Sequence, residues 1–259
     1  MLKKRILSGI IGIPLALLII YMGGITYTIA ILVLALLGLE EYYRLSLRGN
    51  YVFPRNMSFI MAFLYFVMIY SGFPYVLELF LVLIFFPLCF YYVFTHEFKL
   101  RDLIFTSWGM IYIIWLFGFL ITLRGLSLGL AYTLLLFIAI WLNDIAAFFV
   151  GSYLGKNKLI PRVSPNKTIE GAAGGLLATV LVVLLFRVHV NLSFSAAFIA
   201  GLLISIFGQA GDLLESALKR SFRVKDSGEI IPGHGGILDR FDSVLFAAPV
   251  LYFYIKIVL

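Results

Sequence analysis

Charge is scarce in this chain. Only 13% of its 259 residues are Asp, Glu, Lys or Arg, while 63% are hydrophobic and the mean hydropathy is +1.06. A soluble domain carries about 25% charged residues. A chain of this length cannot hide so much apolar surface in its own core. That excludes an ordinary soluble domain and makes lipid the expected solvent. Cysteine is almost absent too. The single Cys89 lies in an apolar run and cannot form an intrachain disulfide. It reads as a packing residue and says nothing about redox compartment.

What the chain does have is long apolar stretches. A bilayer-spanning helix needs about 20 mostly apolar residues. On that rule the expected fold is all-α: a polytopic integral membrane protein of about nine transmembrane helices, at 6–22, 25–46, 57–71, 74–94, 103–123, 127–150, 171–187, 195–215 and 240–258. The third and seventh are short. Lys3-Lys4-Arg5 before the first stretch resembles the start of a signal peptide. No small-residue cleavage site follows, so a retained helix is expected.

Loop charges set the orientation. With the N-terminus cytoplasmic, 17 of the 20 Lys and Arg residues fall on the inner side, and only Arg124, Arg187 and Lys256 do not. This distribution obeys the positive-inside rule and predicts an odd number of spans, with the C-terminus outside. A net charge of +7 suits a neighbour of anionic headgroups. The expected location is the cytoplasmic membrane, with the site facing the cytoplasm. Residues 1–125 read as a helical scaffold and 126–259 as the catalytic region. The inner segment Arg44 to Asn56 reads as an interfacial anchor. Glu40 and Glu41, at the inner end of the second span, are expected to face water or pair with Arg44. His96 reads as a solvated loop residue and His189 as incidental.

Polar residues gather in the C-terminal half. Asn143 and Asp144 lie near the end of the sixth span, where an acidic group is costly and usually faces a polar cavity. Gly151 to Lys158 imitates a phosphate-binding loop, but the glycine spacing is one residue short and no Ser or Thr follows Gly155-Lys156. In Ser164-Pro165-Asn166-Lys167-Thr168-Ile169-Glu170-Gly171, Thr168 or Asn166 is placed to cap the seventh helix. That helix start and Lys167 suit phosphate. Gly171, Gly174 and Gly175 allow close helix packing.

The eighth span ends in Asp212, Glu215, Ser216 and Lys219, which share one helical face. From Ser216 to Asp242 the chain is crowded with Lys219, Arg220, Arg223, Lys225, Asp226, His234, Asp239, Arg240 and Asp242. Pro232-Gly233-His234-Gly235-Gly236 bends the chain and lets backbone approach a ligand. Asp239 and Asp242 are three apart, at the start of the last span. Eight of the 13 acidic residues lie in this half, from Asp144 onward. Carboxylates among basic side chains suggest a hard cation holding a polyphosphate, since Mg²⁺ favours carboxylates plus substrate phosphates.

The pattern Ser-x-x-Lys-Arg-x-x-x-x-Lys-Asp-x-Gly-x-x-x-Pro-Gly-His-Gly-Gly-x-x-Asp-Arg-x-Asp, complete from Ser216 to Asp242, closely resembles the signature of the phosphatidate cytidylyltransferases. Asn143-Asp144 and the Ser164 to Gly171 segment also resemble that family, with Asn166 where Lys is more usual. The likeness is strong over about 141–242 and rests on hydropathy alone before that.

The resemblance implies an integral membrane enzyme that makes CDP-diacylglycerol and pyrophosphate from CTP and phosphatidate. It implies Mg²⁺, with the number of ions open, and a homodimer among membrane lipids, with no nucleic acid partner. The metal candidates are Asp144, Asp212, Asp226, Asp239 and Asp242. Asn143, Ser164, Lys167, Lys219, Arg220, Arg223, Lys225, His234 and Arg240 are candidates for substrate contact. Asp239, Asp242, Lys219 and His234 are the catalytic candidates. The chemistry agrees: an anionic lipid phosphate needs relief from charge repulsion rather than a strong base. Two alternatives remain, the first with the same metal and nucleotide logic. A CTP-dependent lipid kinase of the polyprenol type would release CDP instead of pyrophosphate. A transporter would carry its polar groups at the midplane of repeated halves, and no repeat is visible.

Overall fold

The computed structural model describes residues 2–228, 230 and 235–258. Each of the nine apolar stretches is helical: α1 (Leu2–Met22), α2 (Gly24–Arg48), α3 (Arg55–Tyr70), α4 (Val76–Phe94), α5 (Leu100–Met110) continuing through a π-turn (Ile111–Trp115) into α6 (Leu116–Arg124), α7 (Gly129–Leu154), α8 (Ile169–Phe186), α9 (Phe194–Ser221) and α10 (Leu238–Val258). Seven helical segments among the described residues are long and apolar enough to cross a bilayer. Gly12–Met22 and Arg55–Tyr70 are shorter. Large apolar side chains such as Phe148 (68% exposed) and Leu177 (68%) stand on the surface, as lipid requires and water would penalise. The protein is an all-α polytopic membrane protein with one small addition, a two-stranded antiparallel hairpin of β1 (Lys158–Ile160) and β2 (Ser164–Thr168).

The chain divides into two compact units, Met1–Thr122 with Asp226–Arg240, and Leu123–Lys225 with Phe241–Leu259. In the first, aromatic packing on α2 and α5 sets the core. Tyr42 stacks on Phe105 at 4.4 Å and donates its hydroxyl to the Phe105 carbonyl. Its ring occupies the space where Gly109 lacks a Cβ. The buried Asp102 accepts from the amides of Lys99 and Val52, fixing the start of α5. Arg55 lies over the rings of Tyr43 and Phe59, and Arg101 over Tyr51, as an interfacial anchor would.

The second unit is built by small residues. Between lipid-solvated helices no hydrophobic force drives association, so close backbone approach and van der Waals contact must do it. A Cβ on Gly174 would run into Val150, and one on Gly175 would sit 2.8 Å from Asn143 Oδ1. Gly201 lies against Val180 and Gly208 against Ile140 in the same way. This brings α7, α8 and α9 together around polar side chains that lipid would otherwise exclude.

Two boundaries differ from the sequence expectation. Helix α9 does not end at residue 215 but runs on to Ser221. Lys219 keeps the helical face expected of it, Arg220 joins the same helix, and cations near a helix C-terminus are favoured by its dipole. Helix α7 likewise runs through Gly151 to Leu154, so the phosphate-loop look-alike is helical for half its length.

Candidate active site

The site grows from one polar knot inside the second unit. Asn143, on α7, is 2% exposed. Its Oδ1 is approached by Ser205 Oγ at 2.8 Å, Gln209 Nε2 at 3.2 Å and Thr179 Oγ1 at 3.3 Å. Gln209 also reaches the Ala172 carbonyl at 3.1 Å. One amide thus ties α7, α8 and α9 together, and its Nδ2 donates to Asp144 Oδ1 at 3.3 Å. Buried polar groups need such partners, and this set fixes the direction in which Asp144 leaves the helix.

Beyond α7 the hairpin folds back, pairing Lys158 with Thr168 and Ile160 with Ser164. Thr168 then caps α8, its Oγ1 accepting from the Gly171 amide at 3.1 Å. Glu170 accepts from the Asn157 amide at 3.2 Å and from Asn157 Nδ2 at 2.8 Å, closing the hairpin on the first turn of α8. A cavity of about 530 Å³ opens among these elements. It is lined by the polar Asn143, Asp144, Lys158, Asn166, Lys167, Gln209 and Asp212, and by the apolar Phe148, Leu159 and Leu213.

Its charges are arranged in opposition. Lys167, from β2, sets its ammonium against the carboxylate of Asp212 on α9. Asp242, on α10, lies within hydrogen-bonding reach of Glu215 and electrostatic reach of both Asp212 and Asp144. Its Oδ1 accepts from the Ser243 amide at 2.6 Å. One turn beyond Asp212, Glu215 is buried and pairs with Lys219 at 3.3 Å.

Of the residues singled out in the sequence, Asn143, Asp144, Lys167 and Asp212 line this cavity. Asp242 joins them through its neighbours, and Lys219 is drawn to Glu215. Ser164 is half-buried in the hairpin. Arg220 turns back to the Val224 carbonyl at 3.0 Å. Arg223 and Lys225 are exposed, the former with a φ of 55°. Asp226, Asp239 and Arg240 belong to the first unit. There Asp226 and Arg240 are exposed, and Asp239 Oδ2 accepts from Ser227 N (2.9 Å), Ser227 Oγ (3.0 Å) and Gly236 N (2.9 Å). His234 lies outside the described residues, as do Glu229, Pro232 and Gly233.

Three cavity or ion-pair residues escaped the sequence reading. Gln209 was visible as an uncharged polar side chain deep in an apolar helix. Lys158 was masked by the false phosphate loop. Glu215 was noticed only as part of a helical face. Glu41 was misjudged. Glu40 does pair with Arg44 (3.3 Å) and Arg55 (2.8 Å), but Glu41 is 1% exposed and faces inward.

A model of the cytidylyltransferase family matches residues 3–258. The chain belongs to the cytidylyltransferase family. It is similar to the phosphatidate cytidylyltransferase of Bacillus subtilis, with 36% identity across 97% of both chains. The protein of that name from Staphylococcus haemolyticus is 38% identical, over 96% of this chain and 97% of its own. That of Staphylococcus aureus is 37% identical over the same shares. The likeness to the cytidylyltransferases therefore covers both units, including the first 130 residues, where the sequence reading found only shared hydropathy. It also spans the cavity and the Ser216 to Asp242 signature.

Proposed function

We propose that this protein is a CTP:phosphatidate cytidylyltransferase, forming CDP-diacylglycerol and pyrophosphate. The observation that carries the reading is the cavity of the second unit. There Lys167 and Lys158 stand among Asp144 and Asp212, beside an apolar wall of Phe148, Leu159 and Leu213. A lipid phosphate and a nucleotide polyphosphate need cations, and acyl chains need an apolar border. The names of the relatives point to the same substrates.

The reaction joins two anions. An oxygen of the phosphatidate phosphate forms a bond to the α-phosphorus of CTP, and the bond from that phosphorus to the bridging β-oxygen breaks. The electron pair leaves with pyrophosphate. The nucleophile is already ionised, so the residues serve to orient and neutralise rather than remove a proton. Lys167 and Lys158 lower the repulsion between the two phosphates. The Asn143 amide holds Asp144, and the salt bridge to Lys167 holds Asp212 until substrate competes for the ammonium. On the same reading Arg220, Arg223 and Lys225 supply a basic border to the nucleotide, and Ser164 and Asn143 shape its seat. Lys219 acts through Glu215.

The donor set fits Mg²⁺. Among the described residues no three His, Cys, Asp or Glu side chains form a ready cage, yet Asp242, Asp212 and Asp144 feel one another's charge. Mg²⁺ rarely uses an all-protein cage. It takes one or two carboxylates and completes its shell with water and substrate phosphate. Asp212 and Asp242, with Asp144, would hold it. Bound there, it would supply positive charge to the polyphosphate and the leaving pyrophosphate. The basic-residue distribution supports an inner-membrane protein with its N-terminus and site on the cytoplasmic side. A homodimer is the oligomeric state that the family resemblance implies.

The test uses detergent-solubilised full chain, phosphatidate, Mg²⁺ and CTP labelled on the α-phosphate. Label entering the lipid fraction with pyrophosphate released is the expected result. CDP released with a lipid alcohol phosphorylated would overturn it in favour of a kinase.

A further inference from the structure

The first unit contains a carboxylate that the proposed chemistry does not use. Glu41 lies on α2, between 186 and 197 residues from its partners in the chain. Its Oε1 accepts from the Ile237 amide at 2.8 Å, and its Oε2 from the Leu238 amide at 3.0 Å and Ser227 Oγ at 3.0 Å. The backbone wraps closely around it. A Cβ on Gly228 would come within 2.6 Å of Glu41 Oε1. A Cβ on Gly236 would meet both carboxylate oxygens and Ser227 Oγ. Gly235, at a φ of +85°, leaves no room for a side chain beside Asp239.

A carboxylate this deeply buried is costly unless every lone pair is used. Here it satisfies amides at the start of a helix, which have no intrahelical partner, and its charge is favoured by the helix dipole. Ser227 Oγ stands 3.0 Å from both Glu41 Oε2 and Asp239 Oδ2, but a hydroxyl has one proton and serves one of them at a time. Glu41, Ser227 and Asp239 thus form a relay that ties Ser227 to the first turn of α10, the turn that carries Asp239 and Arg240.

We infer that Glu41 is a positioning residue for cytidylyl transfer: it holds Ser227 and the first turn of α10 in their working shape without touching substrate. The inference rests on the proposed activity. Glu41→Gln keeps the size of the side chain but turns an N–H₂ toward an amide donor. Ser227→Ala breaks the relay and leaves the helix start capped.

The experiment measures kcat, KM for CTP and thermal midpoint for wild type and both variants in detergent, with kcat expressed per folded protein. Tryptic cleavage at the exposed Arg223 and Lys225 is followed in parallel. The expected result for Glu41→Gln is a kcat reduced about tenfold or more, a KM within about threefold, and faster cleavage at those two sites. The double variant should lose no more than the worse single one, because both act through the same segment. If Glu41→Gln yields no folded protein, Ser227→Ala is judged by the same criteria. An unchanged kcat per folded protein in the variant that folds overturns the inference, even where the thermal midpoint falls. A wild type that makes no CDP-diacylglycerol would defeat the proposed activity and with it the role in transfer, whereas a wild type that makes it beside a Glu41→Gln variant with normal kcat would defeat the inference alone.

Discussion

Lys167 and Asp212 meet across the cavity of the second unit, one from the hairpin and the other from helix α9. Their side chains are 30% and 32% exposed, so the pair is partly solvated. Such pairs contribute only about 0.2–1 kcal/mol to stability. The meaning of the contact lies in what it does to the charge of the site. Lys167 is paired with one member of the acidic set, and on the proposed reading it gives up that carboxylate to receive a phosphate.

Replacing Lys167 should separate activity from stability. In Lys167→Met the thermal midpoint should stay within a few degrees of wild type, because the lost pair is partly solvated. The value of kcat/KM for CTP should fall about a hundredfold or more, as the phosphates then face Asp144 and Asp212 with one cation fewer. Steady-state kinetics beside a melting curve check this. A variant that melts much lower but turns over normally would show that Lys167 is structural.

Asn143 should behave in the opposite way. Asn143→Ala leaves the donors of Ser205, Gln209 and Thr179 without their shared acceptor, and an unsatisfied buried group costs about 1–3 kcal/mol. Some of this is recovered locally. Thr179 also reaches the Gly175 carbonyl at 2.9 Å, and Gln209 the Ala172 carbonyl. Polar contacts inside bilayers also average nearer 0.6 kcal/mol in measured cycles. A loss of about 1–2 kcal/mol is therefore expected, read as a lower unfolding midpoint in detergent, with activity reduced because Asp144 is no longer steered.

The helical part of the fold was legible because a bilayer forces long apolar runs into helices with all backbone bonds internal. Helix ends were less legible. The span rule stopped α9 at residue 215, although a positive last turn is what a helix C-terminus favours. The hairpin was not visible, since Lys158 and Pro165 match loop chemistry and only the pairing of Lys158 with Thr168 and of Ile160 with Ser164 makes the two stretches strands. In the site, Asn143, Asp144, Lys167 and Asp212 could be found because polarity inside apolar helices is costly and so conspicuous. Glu41 could not. Its partners lie at the far end of the chain, and nothing in its local spacing distinguishes it from Glu40, which does sit among arginines at the surface.

The α7–α8 interface offers a test of packing. A Cβ at Gly174 would lie 2.7 Å from the Cβ of Val150, and one at Gly175 would lie 2.8 Å from Asn143 Oδ1 and 2.9 Å from the Asn143 carbonyl. Neither a Cβ nor a helical carbonyl can move without its helix. Overpacking costs about 1–3 kcal/mol. Gly174→Ala and Gly175→Ala should therefore both destabilise, and Gly175→Ala should lower activity more, because it presses on the residue that orients Asp144. A wild-type melting point in either variant would contradict this account of the interface.

Metal dependence gives the sharpest test of the acidic cluster. Chelation should abolish turnover and added Mg²⁺ should restore it, because two polyanions must otherwise approach unshielded. Asp242→Asn preserves shape and keeps an acceptor for the Ser243 amide, now 2.6 Å from Oδ1, so folding should survive. What it removes is negative charge beside Asp212 and Asp144. Changes of groups around a metal cost about 10–100-fold in affinity or activity. The Mg²⁺ concentration for half-maximal rate should therefore rise at least tenfold, and calorimetric titration of Mg²⁺ into the CTP-bound protein should show the same weakening without turnover. If the rate falls while the Mg²⁺ requirement and the calorimetric affinity stay at wild-type values, Asp242 acts on the substrate itself and the metal must be held by Asp144 and Asp212 alone.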